Sequence, residues 1–313
     1  MGDDGTGLAM EGISTKESEI EIEIENNRPL DPSSSEEWTL VIRPKSGWLD
    51  LHLGDLWRYR DLVMMFVRRD FFSLYKQTIL GPLWFFIQPL LTTLTFTVIF
   101  GNVAQLSTDG LPKVLFYLSG VTAWNYFSEC MVKTSETFNQ NSGIFGKVFF
   151  PRLAVPLSVA ISNLIKFGIQ FGLFLCFYFY FLAGGSNIHP TSALFLLPVL
   201  LLMMAALGLG TGIIVSALTT RYRDLRFLIQ FGTQLLMYTT PVIFPLSRIP
   251  EQYRWMIAAN PMTSIIETFR YGFLGTGTFS WEMLVYSAVV TAVILALGVV
   301  LFNHVEKTFM DTV

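Results

Sequence analysis

Apolar residues run along this chain in long blocks rather than in alternation. Five blocks carry no charge: Gln77–Thr108, Val114–Ser128, Phe167–Thr220, Phe227–Ser247 and Met283–Val305. About 20 apolar residues cross a bilayer core as a helix. The third block is long enough for two spans, and Gly184, Gly185, Asn187, His189 and Pro190 divide it near the middle. The second is short, but Glu129 and Lys133 extend it, because long charged side chains at a helix end reach the interface. The pattern predicts an all-α polytopic membrane protein with six spans, at roughly 80–104, 114–136, 157–182, 192–218, 226–244 and 283–303.

Between these blocks the periodicity changes. In 51–75, Arg58, Asp61, Arg68 and Arg69 share an arc of a helical wheel, with Trp57, Val63, Phe66, Val67 and Phe71 on the rest. That predicts an amphipathic helix lying on the membrane surface, suited to grip anionic lipid or to receive an anionic lipid-linked head group or partner domain. Residues 139–156 are too short for a domain and fit one small surface helix. In 245–282, Pro245, Pro250 and Pro261 break two moderately apolar pieces, which predicts re-entrant helices bordering a pore mouth or outer gate. Glu267 and Arg270 stand i,i+3 there and are expected to pair.

Charge fixes the orientation. Residues 1–37 hold 11 acids and only two bases, Lys16 and Arg28, so the head is acidic and polar. Low apolar content predicts a mobile extension over 1–47, with a short strand at Trp38–Arg43. The surface-helix region covers 48–76 and the membrane domain 77–313. An apolar run that begins near residue 79, behind acids, is not a cleavable signal peptide. Arg58, Arg60, Arg68, Arg69, Lys76, Lys133, Lys147, Arg152, Arg221, Arg223, Arg226 and Lys307 gather on the side that holds both termini. By the positive-inside rule that side is cytoplasmic.

Composition then excludes much chemistry. Charged residues make up 14% of the chain, against about 25% in soluble domains. The three histidines are scattered, and no metal-ligand cluster, nucleophile elbow or nucleic-acid motif appears. The piece Gly143–Lys147 lacks the spacing of a phosphate loop, and Val148 follows its lysine. Cys130 and Cys176 read as small buried hydrophobes. No carboxylate sits at mid-membrane for a proton or sodium relay. Aromatic residues, by contrast, crowd the spans. Trp84, Phe85, Trp124, Tyr126, Phe127 and Tyr238 are candidates for a channel lining on which sugar rings slide. Gly168-x-x-x-Gly172 and Gly208-x-x-x-Gly212 predict close helix packing.

A run of marks now resembles a known family: Arg68-Arg69-Asp70, Tyr75-Lys76, Leu80-Gly81-x-x-Trp84 and Pro89; Gly120-x-x-x-Trp124-x-x-Phe127; Asn141, Lys147 and Phe150-Pro151-Arg152; Arg221-Tyr222-Arg223-Asp224; Asn260-Pro261-Met262, Glu267 and Arg270. In this order and spacing they resemble the polysaccharide ABC-exporter permeases of the type-2 ABC permease superfamily, which export O-antigen, capsule or teichoic acid chains. The likeness covers roughly 50–313 and leaves the acidic head outside it.

The resemblance implies a homodimer in the bacterial inner membrane, with two separate ATPase subunits that hold the ATP and Mg; the chain itself carries no cofactor and is no enzyme. It implies that Asn141, Ser142, Ile144, Phe145, Lys147, Phe150, Pro151 and Arg152 form the loop that couples to the ATPase. Arg58, Arg60, Arg68, Arg69 and Lys76 would read the pyrophosphate of an undecaprenyl-linked polymer. Asn260, Pro261, Glu267 and Arg270 would build the outer gate. The alternatives are a permease of the same superfamily for a small drug or lipid and, more remotely, a membrane-embedded transferase.

Overall fold

In a bilayer the backbone must satisfy its own polar groups, and every regular element among the described residues is helical. The computed structural model describes residues 53–73, 79–145, 150–219 and 224–309. The acidic head, the strand expected at Trp38–Arg43, and Lys76, Lys147, Arg221 and Arg223 lie outside those residues.

In chain order the helices are α1 (Leu53–Arg58), α2 (Arg60–Ser73), α3 (Trp84–Phe96), α4 (Lys113–Ser135), α5 (Thr137–Phe145), α6 (Ala154–Ala183), α7 (Leu197–Thr219), α8 (Leu225–Tyr238), α9 (Glu251–Ala258), α10 (Pro261–Leu274) and α11 (Trp281–Phe309). A wider-wound turn, Thr97–Val103, continues α3. Four stretches are long and apolar enough to cross a membrane: Gly81–Val103, Ala154–Ala183, Ser192–Thr219 and Trp281–His304. They coincide with the first, third, fourth and sixth predicted spans.

The other two predicted spans have a different character. α4 has 23 residues but carries Asn125, Glu129 and Lys133. Its Leu115, Phe116, Tyr117 and Leu118 are fully enclosed, and α3, α6, α7, α8 and α10 pack around it. A helix clad in protein needs no apolar face for lipid, so polar residues are tolerated along it. α8 has only 14 residues.

Glycine decides how close the central helices come. A Cβ at Gly208 would stand 2.7 Å from Cys130 Cβ, and one at Gly212 would stand 2.6 Å from Thr134 Cβ, so this face of α7 lies directly on α4. Gly210 faces the other way, where a Cβ would meet Leu295 Cα of α11 at 2.8 Å. At Gly168 and Gly172, for which close packing within or between subunits is expected, nothing in this chain's described residues lies within 4 Å of a Cβ. Cys130 is buried as expected, whereas Cys176 is exposed on α6, because the helix turns that position outward.

Local signals set the remaining ends. Asn260 caps α10 by accepting from Met262 N at 3.0 Å, and Pro261 opens the helix. Gly275 closes it at φ +73°, and a Cβ there would stand 2.5 Å from the His189 carbonyl. Lys113 Nζ donates to the Gly101 carbonyl and to Asn102 Oδ1, both at 2.8 Å, which fastens the end of the first span to the start of α4. The helix expected to lie on the membrane surface is split at Tyr59 into α1 and α2; Val63, Phe66 and Val67 are buried on α2.

Candidate functional site

A cavity of about 620 Å³ opens between α3, α4 and α8. Thr92 and Thr95 face it from α3, Trp124, Asn125, Ser128 and Glu129 from α4, and Gln230, Thr233, Gln234 and Tyr238 from α8. Its wall mixes amides, hydroxyls, one carboxylate, three aromatic side chains (Phe96, Trp124 and Tyr238) and the apolar Leu91, Val132 and Met237. α8 makes this possible by being two-sided: Phe227, Leu228, Phe231 and Leu235 are exposed on its outer face. A polar stripe at i, i+3 and i+4 within an apolar helix was the available signal for Gln230, Thr233 and Gln234, which sequence reasoning did not single out.

At one end of the groove the lining residue Glu129 belongs to an ionic cluster. Lys166 of α6 donates to Glu129 Oε2 at 2.6 Å, and Lys133 Nζ lies 3.3 Å from the same oxygen. Lys133 also donates to Asn163 Oδ1 at 3.3 Å, and Asn125 Nδ2 donates to Gln170 Oε1 at 3.3 Å. The Lys166 ammonium lies 5.4 Å from the centre of the Phe85 ring, a cation–π distance. These contacts sew α4 to α6 across 37 residues of sequence; nothing local in the sequence announces them.

The aromatic candidates part company in the structure. Trp124 and Tyr238 line the groove, and Phe85 abuts Lys166. Trp84 is half-exposed. Tyr126 and Phe127 do not line the groove; they are buried in the core, with ring centroids 5.4 Å from Phe167 and 5.3 Å from Trp124 respectively.

At the opposite end of α4, Arg270 is 1% exposed. It pairs with Glu267 at 3.1 Å, as the i,i+3 spacing predicted, and donates to the Pro241 carbonyl at 3.0 Å and to Ser119 Oγ and the Phe116 carbonyl at 3.4 Å. Its guanidinium lies 3.8 Å from the Phe116 ring centre. Glu267 accepts from Thr278 N at 2.9 Å. Asn260 Nδ2 donates to Thr240 Oγ1 at 3.0 Å.

The short helix expected in 139–152 is α5, which begins slightly earlier. Phe145 and Phe150 are buried and pack with Phe66 of α2, and Phe138 stacks on Phe302 of α11 at 4.7 Å. Arg152 lies 5.5 Å from the Phe145 ring centre, and Pro151 and Ile144 are half-buried. Arg69 donates to Asn141 Oδ1 at 3.4 Å. Gln140, which pairs with Glu136, and Gly143 are exposed. The side chain of Ser142 lies outside the described residues, as does Lys147.

The basic residues of the surface helix are not gathered in one place. Arg69 is engaged with Asp70 at 2.9 Å and with α5. Arg58 and Arg68 are exposed. Arg60, 6.0 Å from the Trp57 ring centre, stands at a second cavity of about 740 Å³. That cavity is lined almost wholly by apolar residues of α2, α6, α7 and α11, among them Met64, Ile161, Ile213 and Val299.

A family model for the ABC-2 type transporter matches residues 61–274. The chain belongs to that family. The matched stretch takes in the groove, the ionic cluster, α5 and the Glu267–Arg270 clasp. Among similar ABC-2 proteins is an O-antigen export system permease protein RfbA of Klebsiella pneumoniae, 26% identical and covering 80% of this chain and 94% of the relative. A Myxococcus xanthus protein of the same name is 27% identical over 83% of this chain and 98% of its own length. The polysialic acid transport protein KpsM of Escherichia coli is 22% identical over 74% of this chain and 89% of KpsM.

Proposed function

We propose that this ABC-2 chain is the permease subunit of an exporter that moves a lipid-linked polysaccharide of O-antigen, capsule or teichoic acid type across the bacterial inner membrane. The groove between α3, α4 and α8 carries the reading. A sugar polymer needs hydrogen-bonding partners and flat apolar faces without fixed register, and Asn125, Ser128, Gln230 and Gln234 stand there beside Trp124 and Tyr238. The relatives named for O-antigen and polysialic acid transport support the same substrate class.

In this reading α4 and α8 complete a set of six spans, with both termini cytoplasmic. Two copies face each other and close the open groove into a channel; the exposed apolar faces of α3 and α8 are the surfaces available for that. Two separate ATPase subunits bind ATP and Mg and dock at α5, whose levering opens the channel outward. The polymer arrives on undecaprenyl pyrophosphate beside the surface helix, where Arg58, Arg60 and Arg68 offer cations next to membrane lipid. Arg60 combines a cation with an apolar cavity, which suits a phosphate on a hydrocarbon tail. The Glu267–Arg270 clasp and the Asn260 cap hold the outer gate.

The test is transport in vesicles that hold the chain with its ATPase, with lipid-linked polymer presented on the ATPase face. ATP-dependent protection of the polymer from an added glycosidase supports the reading. ATP hydrolysis without protection, or failure of any ATPase to associate, overturns it.

A further inference from the structure

The ionic cluster in the groove wall holds more positive charge than its own packing requires. Lys166 and Glu129, 2.6 Å apart, already form a complete pair; the Lys166 side chain is 7% exposed. One ammonium answers one carboxylate. Lys133 nevertheless adds a second ammonium to the same oxygen at 3.3 Å, and its side chain is 40% exposed. Among the described residues no other carboxylate pairs with either lysine. A surplus cation beside a membrane-embedded groove is costly unless water or an anion answers it.

The surroundings suit an anion that carries sugars. Glu129 lines the groove one helical turn beyond Lys133. Asn125 and Gln230 carry amide donors for further oxygens, and the exposed Tyr238 offers a flat face. Lysine acts on phosphate or carboxylate as a compact point charge and needs no bidentate geometry. Lys133 also stands at the end of α4 that runs into α5, where the proposed ATPase docks, so an anion arriving from the cytoplasm meets it first.

We propose that Lys133, Glu129 and Lys166 form an anion-receiving site at the inner end of the groove, which takes a phosphate or carboxylate of the passing substrate. This rests on the transport reading above. The anion has two sources, the diphosphate of the lipid carrier or the carboxylate of an acidic sugar. Glu129 tempers the site: it shares Lys133 with the incoming anion, so the anion is held and also released.

The measurement is equilibrium binding to the full chain with its ATPase in vesicles, using farnesyl diphosphate and trigalacturonate as probes. Lys133→Gln removes the surplus charge and is expected to weaken binding of the recognised probe about tenfold, with Lys133→Arg restoring it. Glu129→Gln removes the carboxylate that competes with the anion and leaves both lysines, and is expected to tighten binding of that probe several-fold. A purely structural cluster gives another pattern and overturns the site: Lys133→Gln leaves binding unchanged, and Glu129→Gln destabilises the chain without tightening binding. A response to farnesyl diphosphate assigns the carrier head group; a response to trigalacturonate assigns the polymer. Affinity for both probes unchanged in Lys133→Gln, in vesicles that still export polymer, overturns the site alone. Vesicles that export no polymer overturn the transport reading beneath it.

Discussion

The guanidinium of Arg270 donates to the carbonyl of Pro241 at 3.0 Å, so a residue in the middle of α10 holds the chain where it leaves α8. The same group lies on Phe116 and pairs with Glu267, and both members of the ion pair are shielded from solvent. Removing one partner strands the other charge. Arg270→Met or Glu267→Gln is expected to destabilise the chain by about 3–5 kcal/mol. Thermal unfolding in detergent measures this, and an unchanged midpoint refutes the clasp as a structural strut.

Gly208 of α7 and Gly172 of α6 should respond differently. Gly208→Ala places a methyl 2.7 Å from Cys130 Cβ, and overpacking of this kind costs about 1–3 kcal/mol. Gly172→Ala meets nothing within 4 Å and should be neutral, or stabilising by up to about 1 kcal/mol, from helix propensity alone. Equal unfolding midpoints for the two variants would contradict the close approach of α7 to α4.

Phe150 and Gln140 separate anchoring from docking at α5. Phe150 is buried against Phe66 and Phe145, so Phe150→Ala is expected to cost about 3–5 kcal/mol. Loss of coupling in that variant reports a loosened α5. Gln140 is exposed, and Gln140→Ala should leave the unfolding midpoint within about 0.5 kcal/mol of the wild type. ATPase binding that falls in Gln140→Ala, at unchanged stability, locates the docking face; binding that stays full moves it elsewhere.

Gln230 and Gln234 test the groove. Both are exposed, so replacing each by leucine should spare the fold. Export of polymer is expected to drop at least several-fold while ATP hydrolysis by the assembled complex continues. Unaltered export would remove the α8 stripe from the path.

Much of the fold is legible in the sequence because lipid imposes a simple demand. The four stretches 81–103, 154–183, 192–219 and 281–304 each hold a long, strongly apolar window and stand out. α4 is harder to read, since its neighbours satisfy it and its polar residues follow contacts rather than a period. The site divides in the same way. Glu267 and Arg270 are readable because they share one helix turn. The pairing of Lys166 with Glu129 is not, because only the packing of α6 on α4 brings them together. Trp124 and Phe127 look alike as aromatic residues in one span, yet α4 turns one toward the groove and the other into the core.

The brevity of α8 changes what the groove must do. Fourteen residues of helix rise about 21 Å, against a hydrocarbon core of about 30 Å. In the proposed six-span reading, the helical part of α8 covers about two-thirds of that depth, and the residues that follow it or a locally thinner bilayer make up the rest. In that reading a hydrated polymer passes the amides and hydroxyls of Asn125, Ser128, Gln230 and Gln234 along this wall.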